Sequence, residues 1–351
     1  MAKKIRILSL DGGGLRGIIP VLILKEIERR SGEKIFNLFD LISGTSTGGL
    51  IACGITVSDD GKNPKYTIQQ IEDIYTHRGN DIFPKRSGFS KFLNSLSSLK
   101  NPHFSAEGID KVLTEYFGTK RLTDCLKPLI VTSFDLYNNE SLFFKSRHAF
   151  SDPQKNATLK DVCRATSAAP TYLPAYKFMF DNKARVCIDG GVYINNPTIV
   201  SLVEITKYHT HKIYDFPSIE LSDVVVLSLG TGHYSSNIAR NKVESWGLLD
   251  WATQISDVMM QAVNQATNYQ AEELTKEGNF MRINLDILEE KYADMADSSD
   301  ETRNYLVSQV QSCIFGNQTL MNQLDDLIKL LKNINADRTQ AGVVKNEGQV
   351  A

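Results

Sequence analysis

Cysteine is scarce in this chain: five residues in 351, at positions 53, 125, 163, 187 and 313, odd in number and without any CxxC spacing. The pattern argues against a disulfide framework and against a thiolate metal site, and it fits a reducing compartment. An excess of charge of one sign is also missing, since 39 basic against 41 acidic residues leave a formal net charge of −2. No global field favours a nucleic-acid polymer as partner, so recognition of an anionic surface would rest on local patches. Long hydrophobic runs are absent near the N-terminus, where the longest, Ile18 to Leu24, contains Pro20 and is far too short to span a bilayer. Met1 to Arg6 enters a strand pattern without the apolar segment of a secretory signal, so a protein made in the cytosol is expected, free to dock on a membrane. There is no H-E-x-x-H motif, and Asp59-Asp60-Gly61 lacks calcium-loop spacing and reads as a turn; no metal and no cofactor is expected.

What is present is an ordinary globular composition, 42% hydrophobic, in a chain long enough for one large α/β domain. Lys4 to Leu10 reads as a buried strand, the glycines at 12, 13 and 14 as a turn, and Leu15 to Arg30 as a helix. Phe39 to Ser43, Gly44 and the helical repeat Leu50, Ile51, Ile55 perform the same strand, turn and helix again. Later strands are expected at Leu129 to Phe134, Leu142 to Lys145, Arg185 to Ile188 and Val224 to Leu229, with helices at Ile68 to Tyr75, Glu107 to Phe117 and Thr158 to Ala168 and after Asn196-Pro197. Short strands alternating with helices predict an α/β fold with a largely parallel sheet. The expected organisation is a single domain over 1–335, with a motif-bearing core at 5–235 and a helical part at 245–335, followed by a disordered polar tail at 336–351.

Gly44-Thr45-Ser46-Thr47-Gly48 fits the G-x-S-x-G nucleophile elbow, in which flanking glycines leave room for a sharp turn that exposes a serine at a helix N-terminus. A capping serine in an ordinary glycine-rich turn has the same spelling. Gly12, Gly13 and Gly14 lack Cβ atoms, so consecutive N–H groups can point at an anion from a helix start. Gly12-x-Gly14-x-x-Gly17 also matches a dinucleotide fingerprint, but the second strand runs into the Ser46 elbow instead of ending in a ribose-binding acid. A nucleophilic serine needs a base. Among the six histidines (77, 103, 148, 209, 211 and 233), His233 has the best position, just after Gly230-Thr231-Gly232. Asp189, at the end of an apolar strand before Gly190 and Gly191, could project a carboxylate toward the same sheet edge as Ser46, or simply open an Asp-Gly turn.

Five ordered blocks resemble the patatin-like phospholipase family: Ile7 to Pro20, Phe39 to Gly49, Ala165 to Pro170, Asp189-Gly190-Gly191 and Leu227 to Gly232. The resemblance implies a three-layer α/β fold with helices on both faces of the sheet. It also implies lipid acyl hydrolysis by a dyad, Ser46 as nucleophile and Asp189 as base, without histidine. Gly13 and Gly14 would donate to the oxyanion, with the Thr47 N–H a further donor. Gly12, Arg16, Gly17, Gly44, Gly48, Gly190 and Gly191 would support the motif. The implied substrate is a phospholipid or other lipid ester, met at the inner face of a membrane through transient surface contact by a cytoplasmic enzyme. Two alternatives keep the same serine: an antiphage effector whose site is switched on by a cyclic nucleotide, and an esterase with a Ser-Asp-His triad. Phe89, Phe92, Leu93, Leu96 and Leu99, interleaved with Lys85, Arg86, Lys91 and Lys100, read as a core helix, a lid or an interfacial helix.

Overall fold

A computed structural model describes residues 4–84, 102–208, 219–234 and 247–340. Its centre is an eight-stranded sheet built from β1 (Ile5–Leu10), β2 (Leu41–Thr45), β3 (Leu129–Asp135), β4 (Glu140–Lys145), β5 (Tyr176–Phe180), β6 (Lys183–Asp189), β7 (Val224–Leu229) and a later edge strand, Phe280–Ile283. The strand order is β5-β6-β3-β2-β1-β7 followed by the edge strand, with β4 also paired to β3. β1, β2, β3, β7 and the edge strand run parallel, whereas β4, β5 and β6 join antiparallel.

The parallel centre reads as continuous apolar runs because both of its faces are covered. β1 and β7 are buried at every position. Successive side chains serve opposite cores: Leu8, Leu10, Val225 and Leu227 join one hydrophobic cluster, while Ile5, Ile7, Val224 and Val226 join another with Leu202 and Ile205. The first cluster takes its other wall from the helices Ile18–Ser31, Thr47–Thr56 and Ile68–Thr76, and the second from the helix Thr198–Tyr208. Helices thus lie on both faces of a mostly parallel sheet, the three-layer arrangement.

Several boundaries move for local reasons. The first helix is preceded by a 3₁₀ turn at Gly14–Gly17 and begins at Ile18, because the glycine turn must first redirect the chain. β2 continues through Gly44 and Thr45, since both remain hydrogen-bonded in register with β3. The region 245–335 is not helical throughout: besides the helices Leu248–Leu274, Asp300–Gln309 and Gln318–Gln340 it carries the edge strand, here β9, and the short β10 (Asp286–Ile287), which pairs with β8 (His233–Tyr234). β5 and β9 are short strands with mixed burial, so neither shows the apolar run that marks β1 or β7. The last helix passes the expected boundary at 335 by five residues, and 341–351 lie outside the described residues. So does the segment 85–101, and with it the apolar stripe from Phe89 to Leu99.

Candidate active site

β3 has two edges. β4 occupies one of them over residues 130–135, so β2 and β6 must share the other. β2 runs parallel to β3 and stops where Thr45 pairs with Thr132; β6 runs antiparallel and stops where Asp189 pairs with Ser133. The two strands therefore meet head-on along one edge, and their ends deliver residues 46 and 189 to the same point. There the Ser46 hydroxyl comes near enough to the Asp189 carboxylate to favour its ionised form, and the Gly191 N–H donates to that carboxylate at 2.7 Å.

Ser46 sits in a tight elbow with φ 53° and ψ −123°, a backbone region that non-glycine residues avoid unless their surroundings impose it. The glycines two positions either side are required by contact. A Cβ on Gly44 would lie 2.2 Å from the Gly48 carbonyl, and one on Gly48 would lie 2.2 Å from the Leu10 carbonyl oxygen. The strand and the following helix approach that closely because the turn between them is so sharp. Ser46 caps the helix Thr47–Thr56, so the Oγ lies at the positive end of the helix dipole. Its own N–H is held by Thr166 Oγ1 at 2.7 Å.

Asp189 is almost completely buried, and burial pushes its carboxyl up to about 6, the Ser46 and Gly191 hydrogen bonds pulling the other way. Such a carboxylate is ionised at neutral pH yet far more basic than a solvated aspartate. That suits a proton acceptor.

The glycine turn closes the site from the β1 side. Asp11 N–H donates to Leu229 O, Gly12 N–H to Asn195 O, Leu15 N–H to Met295 O and Arg16 N–H to Gly13 O. Among the described residues the N–H groups of Gly13 and Gly14 have no such acceptor. Gly12 packs against Ser46, Gly14 lines the same cleft as Ser46, and the Thr47 N–H opens the adjacent helix, where the first amides lack intrahelical partners. Arg16 turns away: its Nη1 donates to the Ala293 carbonyl at 3.1 Å, so it braces the turn against the C-terminal part of the chain. Gly17 packs on Thr47 and Tyr75, and Gly190 packs on Thr132. His233 belongs to β8, with Nδ1 3.9 Å from the Asp286 carboxylate.

An apolar cleft leads away from Ser46, walled by Leu50, Ile82, Phe83, Ile109, Leu173 and Met295. Its lining is largely apolar, the character a hydrocarbon chain requires. Among the described residues no helix is long and apolar enough to cross a membrane. The patatin-like phospholipase family model matches residues 8–202, more than half of the chain and all of the site's own motifs. This chain belongs to the patatin-like phospholipase family. As a patatin-like phospholipase it is an enzyme, a lipid acyl hydrolase. It is 34% identical over 325 residues to Patatin-like protein 4 of Arabidopsis thaliana, covering 86% of this chain and 80% of that one. Patatin-like protein 2 of the same plant is 34% identical over 310 residues, 81% of this chain and 76% of its own. Patatin-2-Kuras 4 of Solanum tuberosum is 28% identical over 329 residues, 88% of this chain and 85% of its own. Among solved structures, that of VipD from Legionella pneumophila aligns over 88% of this chain and 67% of its own at a TM-score of 0.40 and 11% identity, too loose a match to argue from.

Three supports of this patatin-like site are not among the expected site residues, although Thr231 lies in the Leu227 to Gly232 block. Asn195 holds the Gly12 N–H through its backbone carbonyl, and Thr231 Oγ1 donates to the Gly12 carbonyl at 2.5 Å. Arg282, from β9, grips both Asp11 carboxylate oxygens, at 2.9 and 2.5 Å, and reaches Ser228 Oγ at 2.8 Å. Asp11 immediately precedes the glycine turn and is buried, and burial raises its carboxyl pKa while Arg282 pulls against that rise. Arg282→Ala therefore leaves a buried carboxylate without its counter-charge and is expected to destabilise the protein by about 3 kcal/mol in denaturant unfolding, because a buried pair broken on one side costs that much. A loss below about 1 kcal/mol would show the pair to be incidental.

Proposed function

We propose that this patatin-like phospholipase cleaves carboxylic esters of membrane phospholipids, of the phospholipase A or lysophospholipase type, through a Ser46-Asp189 dyad and an acyl-enzyme intermediate. The observation that carries the reading is the head-on meeting of β2 and β6 along one edge of β3, which brings Ser46 to the buried Asp189 carboxylate. In this reading the carboxylate itself takes the serine proton. Its raised pKa makes that transfer less unfavourable than it would be to a solvated aspartate.

Ser46 Oγ attacks the ester carbonyl, a C–O bond forms, and the hydroxyl proton passes to Asp189. Negative charge appears on the former carbonyl oxygen, and the Gly13, Gly14 and Thr47 amides stabilise it. When the intermediate collapses, the bond to the alcohol oxygen breaks and Asp189 returns the proton to that oxygen. Water then repeats the sequence on the acyl-enzyme and releases the fatty acid. The acyl chain occupies the apolar cleft during both halves, which draws it out of the lipid surface by burial of its methylenes.

Mass spectrometry of the products released from mixed membrane phospholipids tests this reading. Wild type is expected to release fatty acids and lysophospholipids or deacylated headgroups, and Ser46→Ala neither. Equal fatty-acid release by both proteins contradicts the dyad, and release of phosphorylated headgroups contradicts the ester specificity.

A further inference from the structure

The segment Ala165 to Ala169 touches both members of the dyad. Thr166 Oγ1 accepts the Ser46 N–H at 2.7 Å, and the Ala168 carbonyl accepts the Asp189 N–H at 3.0 Å. Ser167 lies between these two contacts. It lines the same cleft as Ser46, is 8% exposed, and among the described residues its Oγ has no hydrogen-bond partner. A buried hydroxyl left unpaired costs about 1–3 kcal/mol, so a protein keeps one in such a position for a reason. Its backbone, at φ −98° and ψ 6°, lies in the sparsely populated bridge region that active-site residues often occupy.

Topology limits what that hydroxyl can meet. Ser46 follows β2, whose neighbours are β1 on one side and β3 on the other. The glycine turn closes the site from the β1 side. The Ala165–Ala169 segment closes it from the β3 side, where Ser133 Oγ also donates to Ala165 O at 3.2 Å. Ser167 therefore stands across Ser46 from Gly13 and Gly14, on the flank that carries Asp189. The oxygen that must end on this flank is the one receiving the proton from Asp189, namely the alkoxy oxygen of the scissile ester.

We infer that Ser167 Oγ–H is a catalytic hydrogen-bond donor to the leaving-group oxygen of the ester, assisting its departure. The inference rests on the dyad reading above. Ser167 keeps its proton throughout: the C–O bond to the alcohol breaks, Asp189 protonates the departing oxygen, and the Ser167 hydrogen bond stabilises the charge that builds there before the proton arrives. Its contribution is greatest for a poor leaving group such as a glyceryl alkoxide and smallest for 4-nitrophenolate, which departs without help.

The test compares two esters of one fatty acid, the glyceryl ester and the 4-nitrophenyl ester, and reads the ratio of their kcat/KM values. That ratio does not depend on how much of the preparation is active, so partial misfolding of a variant does not disturb it. Ser167→Ala is expected to lower the glyceryl-to-nitrophenyl ratio by about tenfold, the scale of one hydrogen bond strengthened in the transition state. Ser167→Thr, which keeps a hydroxyl, restores part of the ratio. A ratio unchanged in Ser167→Ala, whatever the overall loss of activity, overturns the inference and leaves Ser167 a structural residue. Ser46→Ala separates the two levels: if it retains hydrolysis of both esters the dyad reading fails, whereas if it is inactive and the Ser167 ratio holds constant only this inference fails.

Discussion

Asp189→Asn lowers kcat/KM for lipid esters by about 10³-fold and leaves the protein folded. The size follows from removal of the proposed base for Ser46, since a well-placed general base contributes about 10²–10⁴-fold. The fold survives because the amide oxygen can still accept the Gly191 N–H that now meets the carboxylate at 2.7 Å. Stability should even rise at neutral pH. The Asp189 carboxyl is lifted from 3.8 to about 6 by burial, so the folded state holds its proton more tightly than the unfolded chain does. Such a group contributes stability below pH 4 and loses it as the pH climbs through 6; at pH 8 the folded protein keeps a buried charge at a cost of about 3 kcal/mol. A neutral asparagine removes that cost, and a higher midpoint for Asp189→Asn in urea at pH 8 checks the sign. The same value predicts the pH profile of the wild type. The base works only when ionised, so kcat/KM for a neutral ester falls tenfold per pH unit below about 6 and flattens above it. A profile flat down to pH 4.5 would place the base elsewhere.

Ser46→Ala is expected to lose at least about 10⁴-fold in turnover, because removing a nucleophile costs as much as dismantling the whole catalytic unit. Alanine inherits the elbow at φ 53°, so the fold should be retained with its strain intact. Ser46→Gly gives the complementary result. It is equally inactive, yet more stable than Ser46→Ala by about 1 kcal/mol, because glycine occupies positive φ without the Cβ penalty. Thermal or urea denaturation of the two inactive variants reads this difference directly. Equal stability would mean that the elbow is not strained at residue 46.

The sequence made the elbow legible because its glycines answer to steric demands that leave no substitute: Gly44 and Gly48 face backbone atoms about 2 Å from any added Cβ. Asp189 was legible as a strand end, but nothing along the chain says that β6 abuts β2 on one edge of β3. That juxtaposition depends on β4 having taken the other edge, a non-local pairing that leaves no local mark. Arg16, expected to support the glycine motif, donates to the Ala293 carbonyl. Arg282 escaped notice because a four-residue strand with intermediate burial has too little pattern to stand out from the surrounding helices. Thr166 and Ser167 lay within a recognised block, yet their roles come from which atoms they reach, and spacing alone does not reveal that.

Covalent labelling reads directly whether Ser46, activated by Asp189, is the acylated nucleophile. The protein is treated with a fluorophosphonate, digested, and the modified peptide sequenced by mass spectrometry. A single adduct on Ser46 is expected, absent from Ser46→Ala and formed far more slowly in Asp189→Asn than in wild type. An adduct on another residue, or labelling of undiminished rate in either variant, would contradict it.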